Sequence, residues 1–266
     1  MTTTLEQQDI LDILAHYRKF GYAIVPNALS EEELAYLNRL VDNDIKEDPD
    51  KWHAPSAGAR GNGQILVKYP ELDRFVRQRN TFPLLQEILM KEAVFSQFDF
   101  RDVPSDLADN SGMQWHRDVP ITGDINNPYR TNYGCVIYYL KDVHDCCPCF
   151  TLVPNSHQHA TMEEAKEKLG DSYEEVYVRG AAGTAILYDI TIFHTRTTGQ
   201  NGCTHGRRTM HNYQSRASYP PLVEWALVPE QLALSEDADT RSFYSKWTKK
   251  QVEYAREHYK TNVSGE

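Results

Sequence analysis

From about residue 93 to residue 217 the chain is a succession of short runs: AVFSQFDFR, GMQWHRDV, TNYGCVIYYLKDV, CFTLVPNSH, YEEVYVRG, GTAILYDITIFHTRT and RRTMHNYQSR. Each is rich in β-branched or aromatic residues and is bounded by Gly, Pro, Asn or Asp, the pattern of strands separated by turns. A short strand is not stable alone, so this many must bury one another's faces in a sandwich or barrel. A single helical insertion, TMEEAKEKLG, interrupts them.

The two ends read differently. Residues 5–19 carry Leu5, Ile10, Leu11, Ile13 and Leu14 at helical spacing. GYAIVPN is a short strand closed by Pro26. In SEEELAYLNRLVDNDI, Ser30 and Glu33 make a capping box, and Leu34, Leu37, Val41 and Ile45 share one face. TFPLLQEILM is a further short helix, and DTRSFYSKWTKKQVEYAREHYK is the longest helical piece of the tail. The expectation is one domain over residues 1–266, mainly β with flanking helices. It has a helical front (1–92), a jelly-roll, cupin-like double-stranded β-helix core (about 93–217) and a helical tail (222–266).

Composition narrows the function. The formal charge of −10 disfavours a general nucleic-acid or anionic-membrane surface. No apolar run approaches the ~18 residues of a membrane span. The start lacks the apolar core of a signal peptide, and the end carries no peroxisomal tripeptide, so a cytoplasmic protein is expected. The cysteines are Cys135, Cys146, Cys147, Cys149 and Cys203, and an odd number does not suit a secreted disulfide framework. Cys146 and Cys149 form a C-x-x-C, but a zinc site would need a second ligand pair and none has suitable spacing. Reduced, semi-buried thiols are expected.

Residues two apart on a strand face the same way, so His116 and Asp118 in MQWHRDV project together and Arg117 opposes them. One imidazole and one carboxylate suit a divalent first-row metal but are too few to hold it. Among the other histidines, His16, His53 and His258 lie in polar helical or loop contexts, and His157 and His159 sit in a turn after a strand. His194 differs: it ends the apolar run AILYDITIF and precedes a polar, Gly-containing stretch that leads into RRTMHNYQ. On its own it reads as a core histidine. The ordered set of H-x-D, a later His and then an Arg opening a strand is far more specific. It matches a two-histidine, one-carboxylate facial triad with three coordination positions open.

With these residues the sequence resembles the phytanoyl-CoA dioxygenase family of Fe(II)/2-oxoglutarate-dependent oxygenases. The similarity runs from FGYAIVPNALSEEELAYLNRLVD to RRTMHNY and includes TLVPNSHQHA, which is similar to the family's V-P-G-S-H element with Asn155 in the Gly position. The last 45 residues or so fall outside it. The resemblance implies that His116, Asp118 and His194 ligate Fe(II), with O2 and 2-oxoglutarate as cosubstrates. It also implies that an arginine at the start of the strand after His194 holds the cosubstrate's distal carboxylate. Leaving such a buried carboxylate unpaired costs roughly 3–5 kcal/mol, and a guanidinium matches it in a planar, bidentate way that lysine cannot. Arg207 fits the spacing better than Arg208, and only one of the two can face inward on a strand.

Related halogenases have a small residue at the carboxylate position, so Asp118 argues against halogenation. The expected course is oxidative decarboxylation of 2-oxoglutarate to succinate and CO2, coupled to attack on a C–H bond of a small-molecule substrate. Hydroxylation is the default; desaturation, epoxidation and ring formation stay open. The loop VPITGDINNPYRTN reads as a lid, Arg130 and Lys68 as possible contacts for an acidic substrate, and Trp115, Tyr133, Tyr138 and Tyr139 as core or pocket lining. Two other readings compete: a non-catalytic barrel that binds a ligand, and a triad metalloenzyme without 2-oxoglutarate. The intact H-x-D, His and Arg set speaks against both.

Overall fold

The computed structural model describes residues 7–56, 59–103, 114–121, 131–200 and 203–259. Among the described residues, ten strands lie in two antiparallel sheets. The larger runs β1 (Tyr22–Val25), β8 (Ala185–Asp189), β5 (Tyr133–Tyr139), β10 (Arg207–Arg216), β4 (Ala93–Val103), β3 (Ala59–Asn62) and β2 (His53–Ser56) in spatial order. The smaller runs β7 (Val176–Val178), β6 (Phe150–Leu152) and β9 (His194–Arg196). This is the expected jelly-roll class, as two facing sheets rather than a closed barrel.

Alternation along the central strands makes the larger sheet two-faced. Phe98, Phe100, Val136, Tyr138, Leu187 and Met210 join the core cluster that contains Leu37 and Val41 of helix α2 (Glu31–Glu47). Cys135, Ile137, Tyr139, Ile186, Tyr188 and Tyr213 point the other way, onto Phe150, Leu152 and Val178 of the smaller sheet. Register fixes this: Tyr213 lies opposite Cys135 and Gln97, and Cys135 lies opposite Tyr188. The period of two then commits every other residue of β10 to one face. The capping box of α2 is present, with Ser30 Oγ accepting from Glu33 N at 3.2 Å and Ser30 N donating to Glu33 Oε2 at 2.7 Å.

Four local expectations change. Gly112 and Met113 lie outside the described residues, and residues 114–121 form no strand; His116 makes only an isolated bridge to His194. GTAILYDITIFHTRT is not one strand. Asp189 Oδ1 accepts from Thr191 N at 2.9 Å and Thr191 Oγ1 at 2.6 Å, a local turn that carries the chain from β8 to β9 in the other sheet. The front is not wholly helical, because the polar β2–β3 hairpin extends the sheet edge, held by Arg60 to Asp102 at 2.7 Å. The tail helix divides into α8 (Ala238–Phe243) and α9 (Lys249–His258). Tyr244 turns inward, its hydroxyl 2.7 Å from Asp73, and Thr248 then caps α9 with Gln251. No described helix is long and apolar enough to cross a membrane.

Candidate metal centre and cosubstrate cleft

His116, Asp118 and His194 meet where the two sheets face each other. The backbone brings them there: His116 N donates to His194 O and His194 N to His116 O, each at 3.0 Å, and Asp118 N donates to Ile190 O at 3.0 Å. One potential ligand atom from each lies within 4.8 Å of the others. Asp118 Oδ1 is 3.5 Å from His194 Nε2 and 4.0 Å from His116 Nε2. Both rings are oriented by a carbonyl two residues back. His116 Nδ1 is 2.8 Å from Gln114 O and His194 Nδ1 is 3.0 Å from Ile192 O. A carbonyl can only accept, so Nδ1 carries the proton in each neutral ring and Nε2 offers its lone pair.

The second carboxylate oxygen is held from behind. Tyr188 donates its hydroxyl to Asp118 Oδ2 at 2.9 Å, and the Tyr213 hydroxyl lies 3.3 Å from that of Tyr188. Burial alone raises the Asp118 pKa, but the neighbouring His194 imidazole, with the Tyr188 hydroxyl, brings the carboxyl below its ordinary range. Burial, and then repulsion between the neighbouring His194 and His116 imidazoles, pull His116 below the usual imidazole value. A neutral-histidine, ionised-aspartate set is the protonation state a divalent cation needs.

Alternation on β10 separates the two arginines. Arg207 lines the triad cleft with His211 and Tyr213. It is buried, its Nε has no hydrogen-bond partner, and among the described residues no carboxylate pairs with it. Arg208 points to the helical face. There it donates to Asp102 at 3.0 Å and to Asn38 Oδ1 at 3.1 Å, and it pairs with Asp42 at 2.8 Å.

Other members of the cleft had gone unnoticed in the sequence. Arg101, tied to Asp99 Oδ1 at 2.7 Å, lies on β4 beside β10, and buried His211 has its Nε2 3.0 Å from Thr209 Oγ1. Burial, then the Arg101 and Arg207 charges, push the His211 pKa well below the imidazole norm. The signal was present in QFDFR, where polar residues alternate with phenylalanines on a strand that is buried on both faces. Arg101 also lines a second cavity of about 310 Å³ with His53, Asn62, Gln97, Asp99 and Trp225. A further cavity of about 400 Å³, between Val119, Tyr133 and Tyr219, shares no lining residue with the triad cleft.

Several expected substrate contacts fall elsewhere. Lys68 is not available to a substrate: it is engaged by Asp44 at 2.7 Å, and by Asp48 and Glu47, on the helical side. Tyr138 points to Thr81 on the outer face, and Tyr139 donates to Val178 O at 2.7 Å. Residues 122–130 of the expected lid, Arg130 included, lie outside the described residues. His16 packs on Phe20 and Tyr22, and the His157 ring fills the space beside Gly21. Cys146 and Cys203, expected as reduced thiols, instead form a disulfide, because the stretch after β9 folds back on the turn before β6. Cys149 is a buried free thiol.

The chain also matches a family model, that of phytanoyl-CoA dioxygenase (PhyH), over residues 17–209. It belongs to the PhyH family. Asn155, in the family's usual Gly position, has a φ of 64°, the left-handed conformation that asparagine tolerates best after glycine. Solved structures share the fold at low identity. SnoN, a non-haem α-ketoglutarate-dependent epimerase from nogalamycin biosynthesis, is 18% identical with a TM-score of 0.65, covering 82% of this chain and 87% of its own. EctD from S. alaskensis, solved with 2-oxoglutarate and 5-hydroxyectoine, is 17% identical with a TM-score of 0.64, covering 82% and 79%. HygX from Streptomyces hygroscopicus, solved with nickel and 2-oxoglutarate, is 15% identical with a TM-score of 0.62, covering 90% and 94%. No curated protein matches this sequence.

Proposed function

We propose that this PhyH-family protein is an Fe(II)- and 2-oxoglutarate-dependent dioxygenase that hydroxylates a C–H bond of a small polar molecule. His116, Asp118 and His194 would hold the metal, each histidine offering Nε2 and the aspartate a carboxylate oxygen. Two nitrogens and one oxygen are a donor set that suits Fe(II) and would leave it able to take further ligands. The observation that carries the reading is Arg207, a buried guanidinium with an unpartnered Nε that lines the same cleft as the three ligands. A buried cation without an anion is costly, and a dicarboxylate spanning metal and guanidinium removes that cost.

When bound, the iron couples decarboxylation of 2-oxoglutarate to succinate and CO2 with oxidation of the substrate. The chain's residues orient and exclude. Tyr188, backed by Tyr213, fixes the Asp118 carboxylate, while the carbonyls of Gln114 and Ile192 fix the two rings. Arg207 anchors the distal carboxylate, and Phe150 and Ile137 exclude water from the cleft. The substrate enters along β4, where Gln97, Asp99 and Arg101 line the 310 Å³ cavity under the Trp225 ring. A wall of hydrogen-bonding groups facing the rings of Trp225 and Tyr259 suits a small polar ligand.

Anaerobic titration of the Fe(II)-loaded protein with 2-oxoglutarate should give a weak visible charge-transfer band. Absence of both the band and calorimetric binding would sink the oxygenase reading. Once a substrate is found by succinate release, product mass reports the outcome. Gain of one oxygen means hydroxylation or, for an alkene substrate, epoxidation, which product NMR separates; loss of two hydrogens means ring formation or desaturation, and no change epimerisation.

A further inference from the structure

A second cluster of metal-binding side chains lies outside the triad. Cys146, Cys147 and Cys203 bring their sulfur atoms within 4.8 Å of one another. Cys146 and Cys203 stand as a disulfide with a Cα–Cα distance of 5.5 Å, and Cys147 Sγ is 4.0 Å from Cys203 Sγ. His144 and His205, each two residues from one of the paired cysteines, face each other with ring centroids 4.7 Å apart. The chain thus presents His144, Cys146 and Cys147 on one arm and Cys203 and His205 on the other. A disulfide uses two of the three sulfurs and leaves the third, that of Cys147, beside the pair.

We propose that, in the reduced protein, Cys146, Cys147 and Cys203 bind one Zn2+, with His144 or His205 completing a tetrahedral structural site. Three thiolates and one imidazole form a standard closed zinc set. Soft sulfur donors select Zn2+ here, while the nitrogen and oxygen donors of the triad suit Fe(II), so the two sites sort their metals by chemistry.

The arms are already in place: Gln200 N donates to Cys146 O at 2.8 Å, Thr197 N to Cys149 O at 3.1 Å and Cys147 N to His144 O at 3.0 Å. Little further ordering is needed to bind an ion. A dithiol reductant opens the Cys146–Cys203 bond by passing its two thiol hydrogens to the cysteines as it closes to its own disulfide. Metal binding then displaces one proton from each of the three thiols. One arm runs directly into Phe150 of β6 and the other into Arg207 of β10. The ion would therefore brace both walls of the cosubstrate cleft from behind. The site itself does not depend on the oxygenase reading.

The test uses full-length Asp118→Ala protein, in which the triad is disabled, reduced with dithiol, incubated with a small excess of Zn2+ and desalted under nitrogen. Elemental analysis should find one zinc per chain. Alkylation after denaturation with chelator, and no further reductant, should label all five cysteines. Cobalt substitution should give thiolate-to-metal charge-transfer absorption with intense tetrahedral d–d bands. Cys147→Ser is the deciding variant, because it leaves the Cys146–Cys203 pair intact but removes a ligand. It should weaken zinc retention at least about tenfold, whereas a plain disulfide predicts no change. His144→Ala and His205→Ala then identify the fourth ligand. Three labelled cysteines with no zinc, or a cobalt spectrum without sulfur charge transfer, would overturn the proposal. If Cys147→Ser fails to fold, the thiol count and cobalt spectrum on the parent still decide.

Discussion

Truncating Arg207 to alanine should weaken 2-oxoglutarate binding more than a hundredfold and leave the cosubstrate-free protein at least as stable as wild type. Arg207 is 6% exposed, has an unpartnered Nε and has no paired carboxylate among the described residues. Burial draws its pKa below that of an ordinary arginine, so the free protein bears the cost of an uncompensated cation. Removing it relieves that cost but strands the cosubstrate's distal carboxylate. Breaking such a pair costs about 3–5 kcal/mol, and 3 kcal/mol corresponds to ~150-fold in Kd. Arg208→Ala should do the opposite. It strips the paired guanidinium from Asp102 and Asp42, but Arg60 still reaches Asp102 at 2.7 Å. The loss is therefore placed at about 2 kcal/mol of stability, below the range for a fully stranded charge, with only a few-fold change in Kd. Calorimetry on the Fe(II)-loaded proteins under nitrogen measures affinity, and thermal unfolding of the metal-free proteins measures stability. The reasoning fails if Arg208→Ala weakens the cosubstrate more than Arg207→Ala, or if Arg207→Ala unfolds the protein while leaving Kd unchanged.

Tyr188→Phe should lower iron affinity by roughly tenfold, because it frees an aspartate oxygen that the hydroxyl now fixes; competition against a metal chelator reads this directly. Asp44→Ala should cost about 3 kcal/mol in urea unfolding, since fully buried Asp44 is bonded to Trp52 Nε1, Asn62 Nδ2 and Lys68 Nζ, and the ammonium would lose its principal partner. Gly183→Ala should lower thermal stability by about 1–3 kcal/mol, because φ is +90° there and a Cβ would sit 2.8 Å from Leu29 O. Burial raises the Asp102 carboxyl, but Arg208 and Arg60 hold it below its ordinary pKa. The unfolded chain takes up that proton near pH 3.9, so this stability is complete above about pH 4 and lost as pH falls through the folded value; Arg208→Ala should flatten that acid slope in pH-dependent unfolding.

The strand-rich middle, the capped helix after Ser30 and the H-x-D, His, Arg order were legible because each depends on local spacing. The structure brings His116, Asp118 and His194 together and puts Arg207 and Arg208 on opposite sheet faces, the alternation that strand geometry imposes. Other features were hidden because they depend on distant partners. The β2–β3 hairpin has no apolar alternation and exists by pairing with β4. Lys68 reads as a surface cation until Asp44 folds beneath it. The C-x-x-C drew attention to Cys149, yet the partner of Cys146 lies 57 residues away. Tyr188 stands before a turn that changes sheets, and nothing in the residues around it points to Asp118.

The Trp225 shelf has a consequence for how such a protein diverges. A Cβ at Gly63 would meet its ring at 2.6 Å, and Gln64 pins the backbone on either side by bonding Trp225 O at 2.7 Å and Leu227 N at 3.1 Å. Tyr259, above Lys51 at 4.2 Å, closes the same cavity. Both aromatic residues come from beyond residue 209, where the family-wide pattern ends. The part of the gene that supplies these two aromatic side chains is therefore separate from the part that encodes the triad, Arg207 and the polar side of the cavity. Drift or recombination in the tail can remodel what the cavity admits without altering a codon for the proposed metal or cosubstrate residues, and grafting a relative's tail onto this core is the corresponding route to altered selectivity.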